Sequence, residues 1–248
     1  MHDTSITLYT PHLTGRAKML ALPAKLHYFR GRGRSQQSRW ALAAANIAFT
    51  SCCLSTSQEF AALQPKLTYG QVPMLEHGDL CISQSMAIVR HTARVGSLYG
   101  ASVEDASRVD EVLDGIIDAR GVIVSFPFMD DPREACMRLR QSMQRFWPSF
   151  EALIERNATP PHVVGSSLTV ADVLLAELVH SATEAFSETF GPEISASMLE
   201  PYPRLRALHA HVVGLPQVQA FMTGPNWFPF PAGKIGVDYV RNVRDVLF

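Results

Sequence analysis

The chain has 248 residues, 47% of them hydrophobic and 18% charged, with a formal net charge of −1. That is enough apolar material for two modest domains with a sizeable core, and it excludes global disorder. The near-neutral balance gives no electrostatic drive toward nucleic acid or anionic membrane, and no apolar run approaches the roughly 20 residues that span a bilayer.

Residues 1–24 read as an N-terminal extension, unstructured or loosely docked. Arg16, Lys18 and many hydroxyls give it a faint transit-peptide character. Asp3, Pro11 and Pro23 argue against that, and the Met19-Leu20-Ala21-Leu22 run is too short for a signal segment. Residues 25–29 (Lys-Leu-His-Tyr-Phe) have the aromatic and branched character of a short strand. A basic Gly/Arg turn follows at residues 30–34. Ser35 is then a candidate N-cap for a helix whose apolar face carries Trp40, Ala43, Ala44 and Ile47.

Residues 49–54 predict a second strand, and residues 55–70 read as polar and turn-rich. Two short apolar runs flanking His77-Gly78-Asp79 predict a hairpin. Ser83-Gln84-Ser85 then opens a helix with Met86, Ile88, Val89 and Val95 on one face. The order β-α-β, then β-β-α, in about 80 residues implies a small α/β domain over residues 25–100. Beyond Ser102 the strand signals stop, and residues 101–248 read as all-helical. Stripes run through Val109, Val112, Leu113, Ile116 and Ile117, and through Ala135, Leu139, Met143, Phe146 and Phe150, the second interrupted at Pro148. Thr169-Val170-Ala171-Asp172 is a capping box ahead of an apolar run. Val237, Val240, Val243 and Leu247 make a final amphipathic helix. Cys52, Cys53, Cys81 and Cys136 fit neither zinc nor disulfide spacing, so no metal site is expected and the thiols suit a reducing compartment.

Three pieces of the small domain can converge. Tyr28 sits where a strand ends above a basic turn, and its phenol can donate one hydrogen bond. Pro73, opening a strand after Gln71-Val72, is a candidate for a cis peptide bond beside which the Val72 main chain could pair with an extended ligand. Gln84 and Ser85 lie at a helix N-terminus, a ready site for a carboxylate. Together they describe a pocket for a short, extended, anionic peptide with its reactive atom near Tyr28.

Here the sequence resembles the cytosolic glutathione transferases of the tyrosine-type group. Residues 25–45 are similar to the alpha-class opening, and Thr68-Tyr69-Gly70-Gln71-Val72-Pro73 and Gln84-Ser85-Met86-Ala87-Ile88 to pi and sigma counterparts. The resemblance implies a thioredoxin-like N-terminal domain, an all-α C-terminal domain, a homodimer and a cytoplasmic, detoxifying enzyme. It implies glutathione as co-substrate, with no further cofactor, and small hydrophobic electrophiles as acceptors. By position, Tyr28 matches the catalytic tyrosine and Arg34 the arginine that supports the thiolate. Gln71, Val72, Gln84 and Ser85 match glutathione-binding residues. Asp118 and Arg145 match positions that reach the neighbouring subunit's glutathione, and Tyr69 matches the aromatic key of the dimer interface.

One departure concerns the glycine end of glutathione, which the family usually holds with a cation. That position falls near Gln64, with Lys66 close but displaced, which implies a weaker hold or a related thiol. The electrophile pocket falls by position on Phe29, Val124, Ser125, Phe128, Tyr239 and Val243. Two alternatives to conjugation stay open: a glutathione-dependent isomerase of prostaglandin or ketosteroid type, and a non-catalytic ligand-binding member. A thiol oxidoreductase is disfavoured, because residues 30–37 hold no cysteine.

Overall fold

The computed structural model describes residues 15–248. Residues 1–14, most of the stretch read as an extension, lie outside them. The remainder of that stretch departs from the expectation: Gly15–Ala21 is a helix, α1. The Met19 and Leu22 carbonyls lie 2.8 and 3.2 Å from Nε2 of the buried His77, which gives this segment a fixed seat on the domain.

Strand β1 (Ala24–Phe29) pairs in parallel with β2 (Phe49–Leu54) and antiparallel with β3 (Met74–His77), which forms the predicted hairpin with β4 (Leu80–Ser83). The sheet order is β2-β1-β3-β4. Helix α2 (Gln36–Ala44) connects β1 to β2, and α4 (Ser85–Val95) follows β4. Between β2 and β3 lies α3 (Ser57–Leu63), within the segment read as turns. Its sequence signal is a capping box: Thr56 accepts from the Glu59 N–H at 3.2 Å while Glu59 accepts from the Thr56 N–H at 3.2 Å.

The second half is helical, as its periodicity predicts. It comprises α5 (Val103–Ser125), α6 (Pro132–Arg156), α7 (Val170–Phe190), α8 (Pro192–Ser197), α9 (Pro203–Val213), α10 (Pro216–Met222) and α11 (Gly233–Leu247). The expected break at Pro148 is absent, and α6 runs through it. Met143, Trp147, Phe150 and Ile154 are all buried around that proline. Burying them at roughly 1.5–3 kcal/mol each outweighs the ~3 kcal/mol cost of an internal proline.

Two cores organise the chain. The larger is continuous from the sheet into the bundle, with Leu26, Trp40, Ile88, Leu113, Trp147 and Leu174 all buried. Every residue of α2 is buried, because its alanines let it lie between α4 and α7. The smaller core lies under the other face of the sheet, where Tyr28, Phe29, Leu54 and Met74 meet Tyr239 and Val246 of α11. The last helix of the chain thus completes the core of the first domain. Its buried positions are Gly236, Tyr239 and Val246, with Val243 half-buried, while Val237 and Leu247 are exposed. The face is rotated by about one residue from the stripe expected at Val237, Val240, Val243 and Leu247. Gly236 accounts for part of this, since a side chain there would overlap the Pro231 carbonyl.

Candidate active site

Tyr28, the penultimate residue of β1, is buried with its ring edge-on to Phe29 and lines a cavity of about 390 Å³. Phe29, Arg34, Val72, Gln84 and Ser85 line the same cavity. The Tyr28 oxygen accepts the Arg34 backbone N–H at 3.0 Å and lies 3.3 Å from the Tyr239 hydroxyl. Gly33, at φ +40°, makes this approach possible: a Cβ there would overlap both hydroxyls.

The turn beneath Tyr28 is held by buried arginines. Arg39 donates to the Gly31 carbonyl at 2.8 Å, and Arg120 of α5 reaches the Gly33 carbonyl at 3.4 Å. Arg32 donates to the Phe228 carbonyl at 2.6 Å, stacks 4.5 Å over Trp227 and forms a forked ion pair with Glu184. Burial lowers the Arg39 guanidinium to about 10, still charged at neutral pH. The sequence marks a basic turn but not the burial of Arg32. A usable signal was Glu177 and Glu184, seven residues apart on one face of α7, each of which takes a buried arginine.

Behind Arg32 lies a stacked histidine pair, with His180 Nδ1 and His209 Nε2 at 3.2 Å. Burial would raise the Glu184 carboxyl, but hydrogen bonds from His180 and Arg32 outweigh it and hold it at about 2. Burial, then the His180 charge, pushes His209 down to about 4 from its ordinary 6.5. Between those values the unfolded chain binds a proton that the folded chain does not. This contribution to stability is therefore complete above about pH 6.5 and is lost as pH falls to 4, roughly 3 kcal/mol in all. Urea unfolding at pH 7 and pH 4.5 should show that decline in the wild type and a much shallower one in His209→Leu. Equal slopes would remove His209 from this role.

Gln84 precedes α4 at φ +74°, a conformation that costs a non-glycine residue of order 1–3 kcal/mol and recurs at ligand sites. It stands at the N-cap of α4, whose first N–H groups have no intrahelical partner, and both Gln84 and Ser85 line the cavity. The Val72–Pro73 peptide is cis, and Gln71 and Val72 line the same cavity. Ser35 occupies the N-cap position of α2 but spends its hydroxyl on the Arg32 carbonyl at 2.8 Å.

The other candidates divide. Val124, Ser125 and Phe128 line a second cavity, about 630 Å³, which shares Arg34, Gln84 and Ser85 with the first. Phe29 belongs to the first cavity. Tyr239 and Val243 line neither: Tyr239 is turned inward to Tyr28, and Val243 packs on the smaller core. Gln64 sits beside Gly70 without lining the cavity, and Lys66 is drawn onto Glu76, its Nζ 2.7 Å from Oε1. Arg34 is therefore the one cation among the cavity's lining residues. Asp118 and Arg145 line a separate open groove between α5 and α6, and Tyr69 is 65% exposed.

Two family models match the chain: the glutathione S-transferase N-terminal domain over residues 24–94 and its C-terminal domain over residues 117–224. The chain belongs to the glutathione S-transferase family. Among curated relatives, this transferase is 30% identical over 225 residues to glutathione S-transferase alpha-4 of Rattus norvegicus, covering 88% of this chain and 96% of that protein. It is 31% identical over 235 residues to glutathione S-transferase A4 of Mus musculus, covering 92% and 99%. A solved Nu-class GST from Haemonchus contortus matches with a TM-score of 0.66 at 25% identity, over 86% of this transferase and 99% of that chain. Among the transferase's described residues no helix is long and apolar enough to cross a membrane.

Proposed function

We propose that this transferase ionises the thiol of glutathione beside Tyr28 and adds the sulfur to small hydrophobic electrophiles held in the second cavity. The carrying observation is that Tyr28 lines the same cavity as the strained Gln84 and Ser85 at the start of α4. A γ-glutamyl carboxylate suits the free N–H groups at Gln84 and Ser85, and the extended cysteinyl main chain suits Val72. The sulfur then falls near Tyr28 and Arg34. With an activated aryl halide, the thiolate sulfur bonds the ring carbon and the carbon–halogen bond breaks, releasing halide. Conjugate formation by the purified protein supports the reading, and its absence at saturating glutathione would overturn it.

The glycine end of the cavity carries a further expectation. Phe60 and Leu247 are among its walls, and Lys66 is occupied by Glu76. A carboxylate gripped by a dedicated cation gains roughly 1.5–3 kcal/mol. Without one, replacing glutathione by γ-glutamylcysteine should raise KM by less than about tenfold. A rise of a hundredfold or more would reveal a cation that reaches the glycine carboxylate.

We further assign the enzyme to a homodimer. The exposed Tyr69 suits an aromatic anchor, and Asp118 and Arg145 line a groove separate from their own chain's Tyr28 cavity, as residues serving a partner's site would. Sedimentation as a 27.4 kDa species would contradict this. A cytoplasmic, detoxifying role is consistent with free thiols at Cys52, Cys53, Cys81 and Cys136.

A further inference from the structure

We infer that Tyr239 is a positioning residue that fixes the direction of the Tyr28 proton, so that the Tyr28 hydroxyl is obliged to donate into the cavity. The inference rests on the proposed function and adds to it a residue from the far end of the chain.

A phenol oxygen has one proton to donate and two lone pairs with which to accept. The Arg34 backbone N–H takes one lone pair of Tyr28, at 3.0 Å. The remaining protein contact is the Tyr239 hydroxyl, at 3.3 Å. If Tyr28 donated to Tyr239, its only proton would be consumed within the protein and nothing would remain for a bound sulfur. If Tyr239 donates, Tyr28 accepts twice and its proton is free. Tyr28 is the sole hydrogen-bond partner of the Tyr239 hydroxyl among the described residues, so that proton has no competing use. Burial, then the neighbouring Tyr28, pushes the Tyr239 phenol well above its ordinary value, so it remains a donor throughout the working range. A bound thiolate accepts but cannot donate, and it selects the arrangement Tyr239 to Tyr28 to sulfur. Each accepted bond also strengthens the next donated one, by about 10–30%.

The surroundings are shaped for this ring. A Cβ on Gly31 would overlap the Tyr239 ring, and one on Gly33 would overlap both hydroxyls. One turn further along α11, Asn242 accepts the Arg30 N–H at 2.8 Å and donates to the Leu54 carbonyl at 3.0 Å, stitching the helix to the ends of β1 and β2. Phe128 packs edge-on at 5.9 Å. The charged groups whose fields act on the Tyr239 hydroxyl are Arg39 from α2 and Arg120 from α5. Both are engaged, Arg39 with Gly31 and Arg120 with Glu177.

The test compares wild type, Tyr239→Phe and Val246→Ala by the pH dependence of bound-thiolate absorbance and of kcat with glutathione. Val246 anchors the same helix through an apolar contact and carries no hydroxyl. Tyr239→Phe should raise the apparent thiol pKa by about 0.5–1 unit, a three- to tenfold loss of thiolate near pH 6.5 that is recovered at high pH. The KM for glutathione should stay within about twofold, since the change alters no residue of the cavity wall. Val246→Ala should lower activity evenly across pH. A Tyr239→Phe profile that superimposes on wild type, or falls evenly as Val246→Ala does, overturns the inference alone. A wild type with no thiolate at neutral pH overturns the proposed function and this inference together.

Discussion

Arg120→Met should destabilise the protein by about 3–5 kcal/mol, the largest stability loss expected from any single change near the site. Glu177 is fully buried in α7, and Arg120 meets it with two bonds, Nε to Oε2 at 3.1 Å and Nη2 to Oε1 at 3.0 Å. Ser181 supplies a third bond, at 2.8 Å. Without the guanidinium, the carboxylate keeps one hydroxyl partner in an apolar interior. The cost comes from the stranded charge more than from the lost attraction, so Arg120→Met combined with Glu177→Leu should recover most of it. Denaturant unfolding of the three variants decides the matter, and a single-variant loss below about 1 kcal/mol would contradict the burial argument. The same change frees the Gly33 carbonyl, so the turn under Tyr28 should loosen as well.

Much of the architecture was legible because it depends on local chemistry. The hairpin around Gly78 and the Thr169–Asp172 capping box are short-range signals, and both elements formed where their residues placed them. Helix α3 is hard to read from sequence because seven residues give little periodicity, although Thr56 and Glu59 mark its start. The phase of α11 could not be read from its valines, because a hydroxyl contact to Tyr28 helps set it, 211 residues away in sequence. The candidate site divides along the same line. Tyr28, Arg34, Gln71, Val72, Gln84 and Ser85 share one cavity, each lying within or beside a recognisable turn or helix start. For Lys66, Tyr239 and Val243 the sequence offers position alone, and their side chains follow other partners: Glu76, Tyr28 and the smaller core. Arg32 and Arg120 carry no short-range mark of burial, because their carboxylates lie 152 and 57 residues further along the chain.

The largest expected effect on activity belongs to Tyr28→Phe. One charge-assisted hydrogen bond to a thiolate contributes roughly 1.5–3 kcal/mol, so turnover near neutral pH should fall about 10- to 100-fold. The ring and its packing on Phe29 are preserved. Glutathione affinity should hold, since the proposed γ-glutamyl and main-chain contacts are to Gln84, Ser85 and Val72 rather than to Tyr28. The loss should shrink as pH approaches the ordinary thiol value near ~8.5, where ionisation no longer needs help.

The direct measurement is an ultraviolet titration of glutathione bound to wild type and to Tyr28→Phe, following thiolate absorbance from pH 5 to pH 10. A wild-type midpoint well below ~8.5, shifting up by one to two units on loss of the hydroxyl, is the expected result. Coincident titrations in the two proteins would show that the phenol does not hold the sulfur ionised.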